Sequence, residues 1–332
     1  MRVLPFIAML LFTNVAIGAG NSKSLCVFDP LGANGDTFNL LKDYVIDMSA
    51  TGANLSLVPY PDESVAVADF VSGTCDILAA TDIRIRQFMP FTGTISAVGA
   101  LPTTDDLRTL LRALNRPKAE RYLDNGKFAI LGIFPLGAGY LFTDDREVDS
   151  VGEMAGRRVA ALTHHMDALH MIAKVGATVV PSDITDFGGK FNNGFANTTY
   201  APALAYSAYE LYKGLGEKGG IVNYPLGQLT LQMVTRSDAF TRDFKRQSRR
   251  ASDRLFDKAF RIVKHHEQSI DQKYWVEIPR ARKDEYQEMF RQSRMDMSAN
   301  GVYDETMLSI MRQVRCMANR AASECSTNVE RE

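Results

Sequence analysis

Three groups of residues carry the chemistry needed to grip a small polar or charged molecule. The first is Thr81-Asp82-Ile83-Arg84-Ile85-Arg86. In an extended chain Arg84 and Arg86 share one face, about 6.5 Å apart along it. Two planar guanidiniums at that spacing suit one bidentate anion, and they equally suit structural pairing with Asp82, with Asp29 or with a neighbouring lobe. The second group is the loop Asp29-Pro-Leu-Gly-Ala-Asn-Gly-Asp36, which runs into a helix start. Exposed backbone N–H groups there favour an oxygen-rich or anionic ligand. The loop lacks Gly-x-Gly-x-x-Gly spacing, so an ordinary loop capped by Asp36 is the competing reading. The third is Tyr140, Asn192, Asn193 and Tyr206, with Glu210 four residues beyond on the same expected helix face. These offer a cleft wall neutral hydrogen bonds for a sugar or amino acid, or else serve as core and capping residues.

His164, His165 and His170, with Asp167 among them, have neither His-x-x-x-His nor His-Glu-x-x-His spacing. They read as lining or solvent-facing histidines, and no metal is expected. His265 and His266 read as surface residues. No Gly-x-Ser-x-Gly elbow and no Walker-type phosphate loop occur. These absences weigh against an enzyme without excluding an unfamiliar site, and the expectation is no enzymatic activity and no cofactor.

The elements expected to position these residues alternate. Strands at 25–28, 54–58 and 75–80 flank helices opening near Asp36 and near Asp62 or Ser64, the second stopped by Gly73. A charged helical stretch (104–126) follows. Strands are then expected at 129–134, 139–143, 157–162, 177–180, 194–199 and 227–235, with helices at 166–175 and about 202–213. Strand–helix alternation argues for parallel sheet covered by helices. From Asp238 the pattern turns helical to the end, in three segments. The first carries Lys245, Arg246, Arg249, Arg250, Arg254, Lys258, Arg261 and Lys264 opposite its apolar face. This reads as a solvated helix face rather than a membrane-surface stripe.

The 332 residues fit two domains, and 45% hydrophobic with 23% charged residues excludes a disordered chain. A formal charge of −1 gives no reason to expect nucleic acid as a partner. Arg2, an apolar run over 3–15 and small residues at Ala16, Gly18, Ala19 and Gly20 read as a cleavable secretory signal over 1–20. No later run is long enough to span a bilayer. Export makes disulfides the expectation for the four cysteines. Cys316 and Cys325, nine apart, read as a C-terminal clip, which leaves Cys26 with Cys75.

The order Ile130-Leu-Gly132, Gly137-Ala-Gly139-Tyr140, Val151-Gly-Glu-Met-Ala-Gly156-Arg157-Arg158-Val159, Val175-Gly176-Ala177 to Pro181, Asp186 and Phe191-Asn-Asn-Gly194 resembles TRAP-type periplasmic solute-binding proteins over about residues 25–240. Cys26-Val-Phe-Asp29, Gly73-Thr-Cys75-Asp76, Arg84-Ile-Arg86, Ala201-Pro202, Arg315-Cys316 and Glu324-Cys325 more closely resemble a divergent branch of solute-binding proteins, some labelled efflux-associated. The resemblance implies an α/β two-lobed periplasmic-binding-protein fold of class II type with a helical C-terminal third. Lobe I would comprise 21–128 plus 236–332, and lobe II 129–235. TRAP binders hold a substrate carboxylate with an Arg four residues after the strand's glycine. That position here is Ala160, with Arg158 two residues earlier, and Asn197 stands nearest the family's Gly-x-x-Asp turn.

The expected function is capture of a small polar or anionic solute in an inter-lobe cleft, for delivery to membrane transporter subunits from the periplasm. The expected ligand contacts are Asp29, Asp36, Asp82, Arg84, Arg86, Tyr140, Arg158, Asn192, Asn193 and Tyr206. The alternative is a periplasmic accessory protein that binds an efflux or assembly component, marked by an apolar or sealed cleft.

Overall fold

A computed structural model describes residues 22–320 and 322–326; the expected signal segment, 1–20, lies outside them. In chain order the elements are β1 (Lys23–Phe28), α1 (Asp36–Ser49), β2 (Leu55–Tyr60), α2 (Glu63–Ser72), β3 (Ile77–Thr81), α3 (Asp82–Ile85), α4 (Pro90–Gly93), α5 (Thr104–Leu114), β4 (Phe128–Thr143), β5 (Arg158–Leu162) and α6 (Met166–Lys174). There follow β6 (Thr178–Ser182), α7 (Phe187–Asn192), β7 (Thr198–Pro202), α8 (Leu204–Ala208), α9 (Tyr212–Leu215), β8 (Gly220–Arg236), α10 (Arg242–Ser269), β9 (Trp275–Val276), α11 (Arg280–Ala299) and α12 (Glu305–Ala318).

Helix starts follow local capping chemistry. The Asp62 side chain accepts from Ser64 N to open α2, which Gly73 ends at φ +90°. Thr103 and Asp106 exchange hydrogen bonds as a capping box on α5. At α1 the cap comes from further back than expected. Asp36 is the first helical residue and caps nothing, while the buried Asp29 accepts from Leu31 N and Phe38 N. Gly35 is required there, because a Cβ would lie 1.8 Å from Asp29 Oδ1.

The strands form one hydrogen-bonded sheet in the order β2-β1-β3-β8-β4-β7-β5-β6, with β9 beside β8. The expected separate strands at 129–134 and 139–143 are one 16-residue strand, β4. It pairs antiparallel with the 17-residue β8 along the full length of both strands. The two halves therefore share a ladder. Each still has its own apolar packing. Leu25, Leu41, Tyr44 and Met233 belong to a cluster on the β1–β3 side, and Ala160, Phe187, Phe191 and Ile221 to one on the β5–β7 side.

The α10 helix buries Ala251, Phe256, Ala259 and Phe260 and turns its basic face to acids. Arg242, Arg246 and Arg249 meet Glu120, Arg254 meets Asp47, and Lys258 meets Asp43. The stripe is thus largely paired within the molecule. Both expected disulfides, Cys26–Cys75 and Cys316–Cys325, are present.

Candidate functional site

A cavity of about 200 Å³ lies between the two halves of the sheet. One wall comes from the carboxyl ends of β1 and β3 and the start of α2, through Phe28, Glu63, Thr81 and Ile83. The opposite wall comes from β5, β7, α6 and α8, through Ala160, Leu162, His165, Asp167, Ala201 and Leu204. Leu136, Gly139 and Leu141 of β4 and Leu226, Gly227 and Leu229 of β8 form the floor, and Tyr286, Met289 and Phe290 of α11 close one end. This is where open α/β sheets bind ligands, beyond the carboxyl ends of parallel strands. Nearly all of the lining surface is carbon.

The charged groups around the cavity are paired. Arg86 donates to both carboxylate oxygens of Asp167, at 2.5 and 3.0 Å, and its Nε donates to Gly93 O at 2.8 Å. Tyr303 donates its hydroxyl to the same carboxylate at 2.7 Å. Arg86 follows α3 on one side of the cleft, Asp167 opens α6 on the other, and Tyr303 precedes α12. One ion pair thus ties three separate segments. Burial alone would raise the Asp167 pKa, but the Arg86 charge and the hydrogen bonds from Arg86 and Tyr303 outweigh it and hold the group at about 2. Burial keeps the His165 ring neutral by lowering its pKa, and the ring meets the Tyr200 hydroxyl at 3.1 Å.

On the other wall Glu63 lines the cavity, with Arg84 behind it. Thr81 N donates to Glu63 Oε1 at 2.6 Å, and Arg84 Nε lies 3.7 Å from Glu63 Oε2. Burial raises the Glu63 pKa, and Arg84 partly counters it. His164, beside Arg84, is pushed down to about 3 by burial and by that cation. Asp82, fully buried, is pushed up to about 7 by burial despite Arg86.

The expected site residues scatter. Arg84 and Arg86 do not form a two-pronged anion grip, because the chain turns into α3 directly after β3; each arginine takes an internal acid instead. Asp29 serves α1, and the exposed Asp36 meets His266 at 2.9 Å. Asp82 is sealed in the core without lining the cavity. Tyr140 points to the other face and donates to Glu267 at 2.9 Å. Arg158, at the exposed start of β5, donates to Gly194 O, well before the buried Ala160. Asn192 bridges Tyr209 O and Gly214 N, and Asn193 donates back to Gly189 O. Tyr206 packs against Tyr212 and Tyr274, and it shares no helix face with Glu210, whose left-handed backbone (φ 52°) lies beyond the end of α8. Asn197 accepts from Arg158 N.

Most of the lining lies outside the expected ligand contacts, including the polar residues Thr37, Glu63, Ser96, Tyr200, Tyr209, Tyr286 and, as a ligand-side group, Asp167. One signal was available. Asp167 sits in the first turn of the helix after a β5 strand whose carboxyl end faces a cleft. Among the described residues no His/Cys/Asp/Glu group is arranged to hold a metal ion, and no helix is long and apolar enough to cross a membrane.

Residues 49–330 match a family model described as solute-binding protein AdeT 1/2. The chain is 36% identical over 304 residues to the probable solute-binding protein AdeT1 of Acinetobacter baumannii, covering 92% of this chain and all of that one. It is 24% identical to the probable solute-binding protein AdeT2 of the same organism over 237 residues, or 70% and 98% of the two chains. Among solved structures it is similar to TRAP periplasmic solute-binding proteins. One from Ralstonia eutropha, with bound (S)-2-acetolactate, has a TM-score of 0.71 at 12% identity and covers 89% of this chain and 98% of its own. One from Shewanella oneidensis, with bound succinate, has 0.69 at 11% identity, covering 88% and 98%. The fold is therefore that of TRAP-type binding proteins.

Proposed function

The chain belongs to the solute-binding protein AdeT 1/2 family, and from that premise we propose that it captures a small polar or anionic solute between its two halves and presents it to membrane transporter subunits in the periplasm. In this reading residues 21–128 with 236–332 form one lobe, 129–235 form the other, and the chemistry is binding rather than catalysis. The observation that carries it is the cavity of about 200 Å³ whose walls come from both halves and whose floor is the strand pair they share. Such a site opens and closes by rotation of its walls, so ligand and conformation are coupled. TRAP-type proteins of this fold have been seen with succinate and with acetolactate bound, which supports a solute of that size. The apolar wall favours the alternative, an accessory protein for a protein partner, but an interior space of this volume favours a solute.

The test is mass spectrometry of small molecules released from gently purified protein, combined with X-ray scattering before and after their removal. A released compound that restores both thermal stability and the compact form supports the reading. A protein that carries nothing, shifts with no metabolite pool and never changes its radius of gyration refutes it.

A further inference from the structure

Resting only on the part of that reading that places a solute in the cavity, and departing from its anionic ligand class, we infer that the cavity selects a neutral solute with an apolar body about the size of a substituted ring and a hydrogen-bonding group. No Lys or Arg is among the lining residues. The two carboxylates that do line it are spent. Asp167 is matched by Arg86 and Tyr303, and Glu63 by Thr81 N and Arg84. His165 is committed to Tyr200 and kept neutral by burial. At mid-β5 the wall presents only the methyl group of Ala160, 1% exposed. An anion would lose its hydration with no cation to replace it, and a cation would find no free carboxylate, so both charge types are disfavoured. An apolar body gains from burial against a wall of carbon. The volume exceeds the roughly 150 Å³ that suffices for a benzene ring, leaving room for a short substituent.

Among the lining residues, Tyr286 carries a buried polar group that lacks a partner. The Tyr286 hydroxyl is buried and unbonded, in a residue 4% exposed. It can donate to one acceptor on the solute, and its burial among carbon means an acceptor there improves the site.

The test is calorimetric titration of the full chain at pH 7.5 with three probes of one body, 3-phenylpropanol, 3-phenylpropanoate and 3-phenylpropylamine. The alcohol is expected to bind at least tenfold more tightly than either charged probe. Ala160→Arg, which places a cation at the wall, is expected to reverse the order of alcohol and carboxylate. Should that variant not fold, Tyr286→Phe supplies an independent arm, weakening the alcohol three- to tenfold while leaving thermal stability equal or higher. Carboxylate binding as tight as the alcohol overturns the solute class and leaves solute binding standing. Binding of none of the three, together with nothing released from the purified protein, overturns the solute-binding reading and this inference with it.

Discussion

Replacing Asp167 by Asn tests whether the Arg86–Asp167 pair holds the cleft shut. The two side chains are 12% and 5% exposed, so the small values typical of surface pairs do not apply. The substitution keeps shape but leaves the Arg86 guanidinium buried against a neutral group. Removing one partner of a buried pair costs about 3–5 kcal/mol, and the amide retained here places the loss near the lower end. Urea unfolding followed by tyrosine and Trp275 fluorescence measures it. The pH dependence has a definite sign. With the folded pKa depressed to about 2 against about 3.9 in the unfolded chain, the pair's contribution is complete above about pH 4. It is lost as pH falls toward 2, amounting to about 2–3 kcal/mol. Asp167→Asn has no such loss, so the two curves converge in acid. Because the pair spans the cleft, the variant should also have a larger radius of gyration by solution scattering. The apolar double replacement Arg86→Met with Asp167→Leu should recover part of the loss, with a coupling energy of about 1–3 kcal/mol. Single and double variants that simply add, with scattering unchanged, refute the idea that this pair ties the halves together.

Loss of the Cys26–Cys75 bridge, a span of 49 residues, should destabilise by about 4 kcal/mol on the chain-entropy model, and loss of Cys316–Cys325, a span of 9, by about 2.5 kcal/mol; cysteine-to-serine pairs measured by urea unfolding check the difference. Gly35→Ala drives a methyl into the Asp29 carboxylate, displacing a group that two backbone N–H groups require, and should cost about 3 kcal/mol in thermal unfolding. Asp82 behaves oppositely to Asp167. With its folded pKa pushed up to about 7, its contribution declines as pH rises from about 4 to 7 and stays low above that. Asp82→Asn should therefore gain stability relative to wild type at pH 8 and not at pH 4; equal differences at both would show that burial does not govern this group.

The sequence carried the architecture well because it lies in short-range signals. Alternating strands and helices, Gly73 after α2 and the buried run Ile77–Thr81 are local features. The Cys316–Cys325 clip is local in the same way, whereas Cys26–Cys75, 49 residues apart, followed by elimination. The shared sheet was not legible, since Pro135, Gly137 and Gly139 punctuate β4 like a turn. Only pairing with β8, some ninety residues away in sequence, shows that they are bulges within one strand. The site was the least legible part. The spacing of Arg84 and Arg86 predicts one extended face, but the ladder ends at Thr81 and the next residues coil into α3. Tyr140 alternates to the outer face of β4. The asparagines at 192 and 193 satisfy backbone groups of loops that nothing in the local sequence foretells.

The bulges also constrain how the cleft can open. A ladder that runs unbroken from β3 through β8 and β4 to β7 cannot let its halves slide, because sliding by one residue would turn every inward side chain outward. Rotation must therefore come from bending β4 and β8 where their register already shifts, between Ile130 and Gly132, Pro135 and Gly137, and Gly139 and Leu141. Gly137, at φ +103°, supplies backbone freedom at the middle shift. Leu136, Gly139 and Leu141 are also floor residues of the cavity, so the bending line runs beneath the solute's place, while Arg86 and Asp167 meet across the cleft. Opening by this route breaks the Arg86–Asp167 pair and exposes the carbon wall, yet leaves the sheet's hydrogen bonds in place. A bound apolar body that contacts both walls opposes that exposure, which is how occupancy of the cavity would be converted into a closed shape for a partner to read.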